Sequence, residues 1–155
     1  MQKKWLGGML LILAALAWAG CGEDGEFGCD DAEIRAAQDL MPAEARGDIT
    51  LMFEGMPIPV KVSLSTVKNE CGIDLALTQH LNPACGNTFD GQLTYDKAAT
   101  PPEWTGELWG DHGNTRVLVT LVQKSANVVN VNADIVEARD LICKDRTLTG
   151  DVSPR

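Results

Sequence analysis

In several runs between Asp48 and Ile135 apolar residues recur at every second position, and a segment that alternates this way is confined to a strand with one face buried and the other in water. Ile49, Leu51 and Phe53 point one way. After the turn Glu54-Gly55-Met56-Pro57, Ile58, Val60, Val62 and Leu64 alternate with Pro59, Lys61, Ser63 and Ser65, which predicts a hairpin. Pro59 has no N–H to give a ladder, so its strand is expected at an edge or with that position at its margin. Ile73, Leu75 and Leu77 predict a third strand, bracketed by Cys71-Gly72 and by the loop from Asn82 to Asn87. Arg116 to Gln123 is apolar on both faces apart from Thr120 and is expected in the middle of a sheet. Val129, Val131, Ala133 and Ile135 then alternate with Asn130, Asn132 and Asp134. Leu141, Cys143 and Leu148 suggest one more strand before a frayed tail at 151–155. Seven to eight short antiparallel strands joined by turns predict a mainly β fold, with a β-sandwich first and a small β-barrel as the alternative.

Two segments share a pattern. Phe89, Gly91 and Leu93 are spaced as Trp104, Gly106 and Leu108 are, an aromatic residue followed by Gly two places on and Leu four places on. The glycines are expected to permit a bulge or to make room for a neighbouring aromatic ring. A sharper reading makes Tyr95, Trp104 and Trp109 an aromatic platform for a sugar or peptide. With aromatics at 5% of the chain, core packing is preferred. Residues 30–41 carry the one good helix signal. Asp30 or Asp31 can cap it, Glu33 lies in its first turn, and Ile34, Ala37 and Met41 or Leu40 share a face before Pro42, a narrow face suited to packing over one end of a sheet.

The first 21 residues are different in kind. Lys3 and Lys4 precede an uncharged run from Trp5 to Ala19, which ends in Ala19-Gly20-Cys21. The run falls short of the ~20 apolar residues that a membrane-spanning helix needs, and Glu23 and Asp24 follow at once. Charged start, apolar run, small residues and cysteine together resemble a bacterial lipoprotein signal peptide with its lipobox, although Trp18 stands three places before the cysteine where that family has Leu. The resemblance covers the leader alone. It implies cleavage before Cys21, lipid on the Cys21 sulfur and acylation of the new amino terminus. Gly22 in place of Asp implies, for a Gram-negative cell, the outer membrane. The rival reading is an ordinary secretory cut after Ala19, since Ala17-Trp18-Ala19 has the small-x-small pattern. Residues 1–20 are thus read as a signal peptide, 21–29 as an acidic, Gly-rich tether, 30–150 as a single disulfide-stapled β domain and 151–155 as a flexible tail.

Cysteine parity agrees with lipidation. Of five cysteines, Cys21 would carry lipid and Cys29, Cys71, Cys85 and Cys143 are left to pair. Sequence leaves three pairings open; the expectation is Cys71 with Cys85 around one strand and Cys29 with Cys143. No C-x-x-C pair points to zinc, and the acids of the tether lack the spacing of a Ca²⁺ loop, so no metal or other cofactor is expected. Residues 1–20 hold two of the 13 basic residues and none of the 22 acidic ones, so the chain from Cys21 carries −11 against −9 overall. Such a surface repels phosphates and excludes nucleic acid as a partner.

Catalytic signals are thin. His80 and His112 are the two histidines, with no Gly-x-Ser-x-Gly elbow and no His-Glu-x-x-His pair. Asp90, Glu103 and Glu107 could be offered as a glycosidase pair, but acids at exposed strand positions need no such role. The expectation is a cell-envelope lipoprotein held at the membrane through lipid on Cys21, not an enzyme, which binds a protein or glycan or serves envelope assembly. The alternative is a small periplasmic hydrolase built around Asp111 and His112.

Overall fold

The computed structural model describes residues 30–80, 85–110 and 113–154. The leader, Cys21, Cys29, Asp111 and His112 lie outside the described residues. One helix, α1 (Ala32–Leu40), precedes eight strands: β1 (Glu44–Phe53), β2 (Met56–Lys68), β3 (Gly72–Gln79), β4 (Thr88–Asp96), β5 (Glu103–Gly110), β6 (Thr115–Ser125), β7 (Val128–Glu137) and β8 (Arg146–Pro154).

Each strand pairs antiparallel with the next, and β8 returns to β1, so the sheet is a closed barrel in chain order. The sandwich expectation is corrected to the barrel that was its alternative. A sandwich of this size needs strands that cross from one sheet to the other, whereas here every connection is a hairpin and closure removes both edges. The expected tail is corrected as well. Residues 151–154 belong to β8, where Val152 is buried opposite Val129 while Arg46 and Ala45 of β1 pair with Ser153 and Pro154. A last strand that closes a barrel has to run the length of the first. Leu141 and Cys143, read as strand residues, sit instead in the connection that leads into β8.

The period-two reading gives the inward set. Ile49, Val60, Val62, Leu75, Leu77, Leu93, Leu108, Val119, Leu121, Val131 and Ala133 fill the interior. Leu118 of β6 does not join them; it faces out and is 40% exposed, because in a barrel no strand is covered on both faces. Pro59 behaves as its chemistry requires. Lys61 accepts from the His80 N–H through its carbonyl, so odd positions of β2 turn their backbone toward β3. The β2–β3 ladder ends at Val62 with Gln79, and Pro59 lies beyond it.

The two look-alike segments face each other across β4 and β5. Gly91 pairs with Leu108 and Leu93 with Gly106, so each glycine lies opposite a leucine. A Cβ on Gly91 would stand 2.2 Å from the Glu107 carbonyl oxygen, and one on Gly106 would stand 2.3 Å from that of Gln92. At both positions the neighbouring strand's backbone occupies the space a side chain would need.

The two ends of the barrel differ. At one, Glu54 and Gly55 both adopt positive φ (49° and 80°) in a two-residue turn that carries β1 into β2. The β3–β4, β5–β6 and β7–β8 connections share that end. At the other, α1 lies across the opening. Asp31 caps it by accepting from the N–H groups of Glu33 and Ile34, Ile34 and Ala37 pack on the core, and Met41 is buried. Gln38 is buried too, and its Nε2 donates to the carbonyls of Asn69 (2.9 Å) and Gly72 (2.6 Å). These bonds fasten the helix to the start of β3.

Candidate functional site

With one end closed by α1, the inward face is reachable from the other. There the inward positions of β1, β2, β7 and β8 leave a pocket of about 300 Å³. Its walls are Leu51, Phe53, Ile58, Val60, Ile135 and Leu148, with Gln79 and Cys85 on one side and Ile142 and Arg146 at the rim. The lining follows from the same alternation that builds the core. Where that core runs out, Phe53 leads into the two-residue turn and Ile58 stands two residues beyond Met56, which follows the turn, and among the described residues both are left partly exposed.

Two loops frame the opening. Cys85, after β3, is bonded to Cys143, before β8, with their Cα atoms 5.3 Å apart. The Gln79 side chain donates to the Gly86 carbonyl and its backbone N–H to that of Asn87 (2.8 Å), which ties the end of β3 to the residues just before β4. In the second, the Asp140 carboxylate and carbonyl accept from the N–H groups of Ile142 and Cys143, and the Asp145 N–H donates to Ile135. Arg146 is half-buried. Its Nε donates to the Ile142 carbonyl (3.0 Å), and its guanidinium carbon lies 4.3 Å from the centroid of the Phe53 ring. Among the described residues no carboxylate pairs with it, nor with Arg35, Arg46, Lys61, Arg139 or Lys144, whereas Lys68, Lys97, Arg116 and Lys124 each have an acidic partner; of all these cations Arg146 is the one in the pocket lining. Leu141 and Ile142 on the rim are 80% and 57% exposed.

No family model and no curated protein matches the chain. Among solved structures, a redesigned beta barrel is similar to it at a TM-score of 0.54 and 16% identity, over 77% of this chain and 95% of the other. The likeness is one of fold alone. An eight-stranded barrel has an interior just wide enough to be filled by side chains or to admit one small ligand, and this one does the first at its closed end and leaves room at its mouth.

The residues singled out from sequence are dispersed. Tyr95 and Trp104 do meet, with ring centroids 4.9 Å apart and planes tilted by 48°, but Trp104 is buried and the pair lies at the closed end. Burial and the nearby Glu33 carboxylate push the Tyr95 hydroxyl above its ordinary value. Trp109 faces outward on the other side of β5, 42% exposed, so the three do not form one platform. His80 is exposed beyond β3. Glu107 of β5 pairs with Arg116 of β6 (3.1 Å) on the outer surface, on strands that contribute nothing to the pocket lining. Among the described residues no three or more His, Cys, Asp or Glu side chains are placed to hold a metal ion.

The expected disulfides are corrected. Cys71 precedes β3 and Cys85 follows it, so a whole strand of eight residues, roughly 26 Å, separates two atoms that a bridge needs within about 7 Å. Cys143 is therefore not free for Cys29, and the residues after Cys29 lie at the closed end. Cys71 is itself disulfide-bonded. Sequence reasoning missed Arg146 and the mouth. The signal was present: Arg146 shares the inward phase of Leu148, Gly150 and Val152, and a charge on the buried phase of a strand has to be explained.

Proposed function

We propose that this chain is a lipid-anchored envelope protein, not an enzyme, whose barrel mouth binds a small, largely apolar ligand. One observation carries the reading: a barrel sealed by a helix at one end presents an apolar pocket of about 300 Å³ with a half-buried cation at the other. That is the common composition of ligand sites, concave and mostly apolar with few polar groups. The separation of Trp104 from Trp109 favours such a ligand over a glycan, which stacks on exposed aromatic faces. The leader, with Cys21 after Ala19-Gly20, supports the anchor, and the odd cysteine count supports it again.

Two measurements test the two halves. In a lipoprotein-processing host, the intact mass is expected to match residues 21–155 plus acyl chains and to rise by four hydrogens on reduction. A mass that begins at Gly20 without lipid would remove the anchor, and Cys21→Ser is expected to release the protein from the membrane fraction. For the pocket, an environment-sensitive apolar dye is expected to brighten on binding, and Ile58→Trp, which fills the mouth, to abolish the signal with the fold intact. A dye response that survives Ile58→Trp would place binding elsewhere.

A further inference from the structure

The cation at the mouth says more about the ligand than the apolar walls do. Arg146 is the first residue of β8 and, by continuation of the pairing of Leu51 with Leu148, stands opposite Phe53 of β1. It occupies an inward position, and its Nε is already committed to the Ile142 carbonyl. The Phe53 ring supports one face of the guanidinium. What it lacks is a counter-charge. Four cations are matched on the outer surface, while Arg35, Arg46, Lys61, Arg139 and Lys144 have no carboxylate partner among the described residues either; Arg146 differs from these in that it lines the apolar pocket, where bulk water does less to solvate it. A fixed, planar guanidinium with its remaining N–H donors unspent is suited to a carboxylate or phosphate oxygen pair.

We propose that the mouth is a site for a small amphipathic anion, whose apolar body fills the pocket between Phe53, Ile58 and Leu148 and whose carboxylate or phosphate lies on Arg146 at the rim. This rests on the reading of the mouth as a binding site and adds the class of ligand. The size follows from the cavity. At about 300 Å³ it stands at the low end of ligand pockets, so the apolar part is a medium chain or a compact ring and not a full membrane lipid. The chain as a whole does not attract anions, with a net charge of −9 overall and −11 from Cys21, so preference arises at contact. Added salt, which screens the long-range repulsion, is expected to leave the affinity the same or improve it slightly.

The test compares octanoate, octyl phosphate and octanol on the full-length processed protein in neutral-lipid nanodiscs, with empty nanodiscs correcting for partition. Octanoate is expected to bind about 10- to 100-fold more tightly than octanol, the advantage of a charge-assisted hydrogen bond. Affinity is expected to rise about fourfold per added methylene until the pocket is full. The Arg146 Nε–H resonance is expected to shift on addition of octanoate. Arg146→Gln is expected to erase the preference for the anion and Arg146→Lys to restore part of it. Octyl phosphate against octanoate tells a phosphate headgroup from a carboxylate. Equal binding of octanoate and octanol in the wild-type protein would overturn the anion and leave the mouth standing as a site. Binding of neither, with no shift at Arg146, would overturn both.

Discussion

Gly106 and Gly91 are positions where one methyl group is too many. The obstacle is a carbonyl oxygen of the neighbouring strand, which cannot swing aside as a side chain can. Gly106→Ala is expected to lower stability by about 1–3 kcal/mol, read from the urea midpoint. The two tryptophans of β5 are expected to differ as sharply. Trp104→Ala, which empties a buried site against Tyr95, should cost about 3–5 kcal/mol, and Trp109→Ala, on the outer surface, should stay within about 0.5 kcal/mol. Parity alone separates them. Trp104 and Trp109 are five residues apart, an odd number, so one strand cannot offer both to one ligand. Residue type alone offered a platform as the sharper reading, composition preferred core packing, and alternation, applied consistently, had already divided the three rings.

At the scale of the element, α1 was legible in outline and not in its main attachment. The Asp31 cap and the Ile34–Ala37 face follow from spacing, but Gln38 is polar and was not counted among inward residues. Its amide fits an inward place because it reaches the Asn69 carbonyl just before β3 and the Gly72 carbonyl, which also accepts from the Asn69 N–H. Gln38→Ala leaves both without that partner and is expected to cost about 1–3 kcal/mol, with exchange of the α1 amides accelerating ahead of the strands. The helix start also responds to acid. The Lys97 ammonium, and after it the N–H groups of Ile34 and Glu33, hold the Asp31 carboxyl below its ordinary value of 3.8. A lowered acid contributes stability that is complete above the unfolded-state value and is lost as pH falls through the folded one. The Glu33 and Ile34 amide resonances are therefore expected to titrate with a midpoint below 3.8, and Lys97→Ala to raise that midpoint.

At the scale of the whole molecule, alternation could not choose between sandwich and barrel, because both bury one face of every strand. The choice lies in which strands pair and in how tightly they coil. The inward glycines of β4 and β5 marked a close approach of neighbouring strands, visible in the sequence as a repeated spacing but silent about their partners. The disulfide was illegible for a related reason: sequence proximity favoured Cys71 with Cys85, and only the direction of β3 shows that they sit at opposite ends. Cys85–Cys143, 58 residues apart, is expected to contribute about 4 kcal/mol in the chain-entropy account, read from the denaturation midpoint of the double serine variant. Deletion of residues 151–155 is expected to unpair one flank each of β1 and β7 and to produce oligomers on size exclusion.

The helix that closes the barrel also bears on direction. The chain reaches α1 from the side of Cys21, so under the proposed anchor the barrel is a cup tied by its base, with its lip about a strand length, roughly 30 Å, from the end that is tied. A cup tied this way would fill from the water more readily than from the leaflet that carries it.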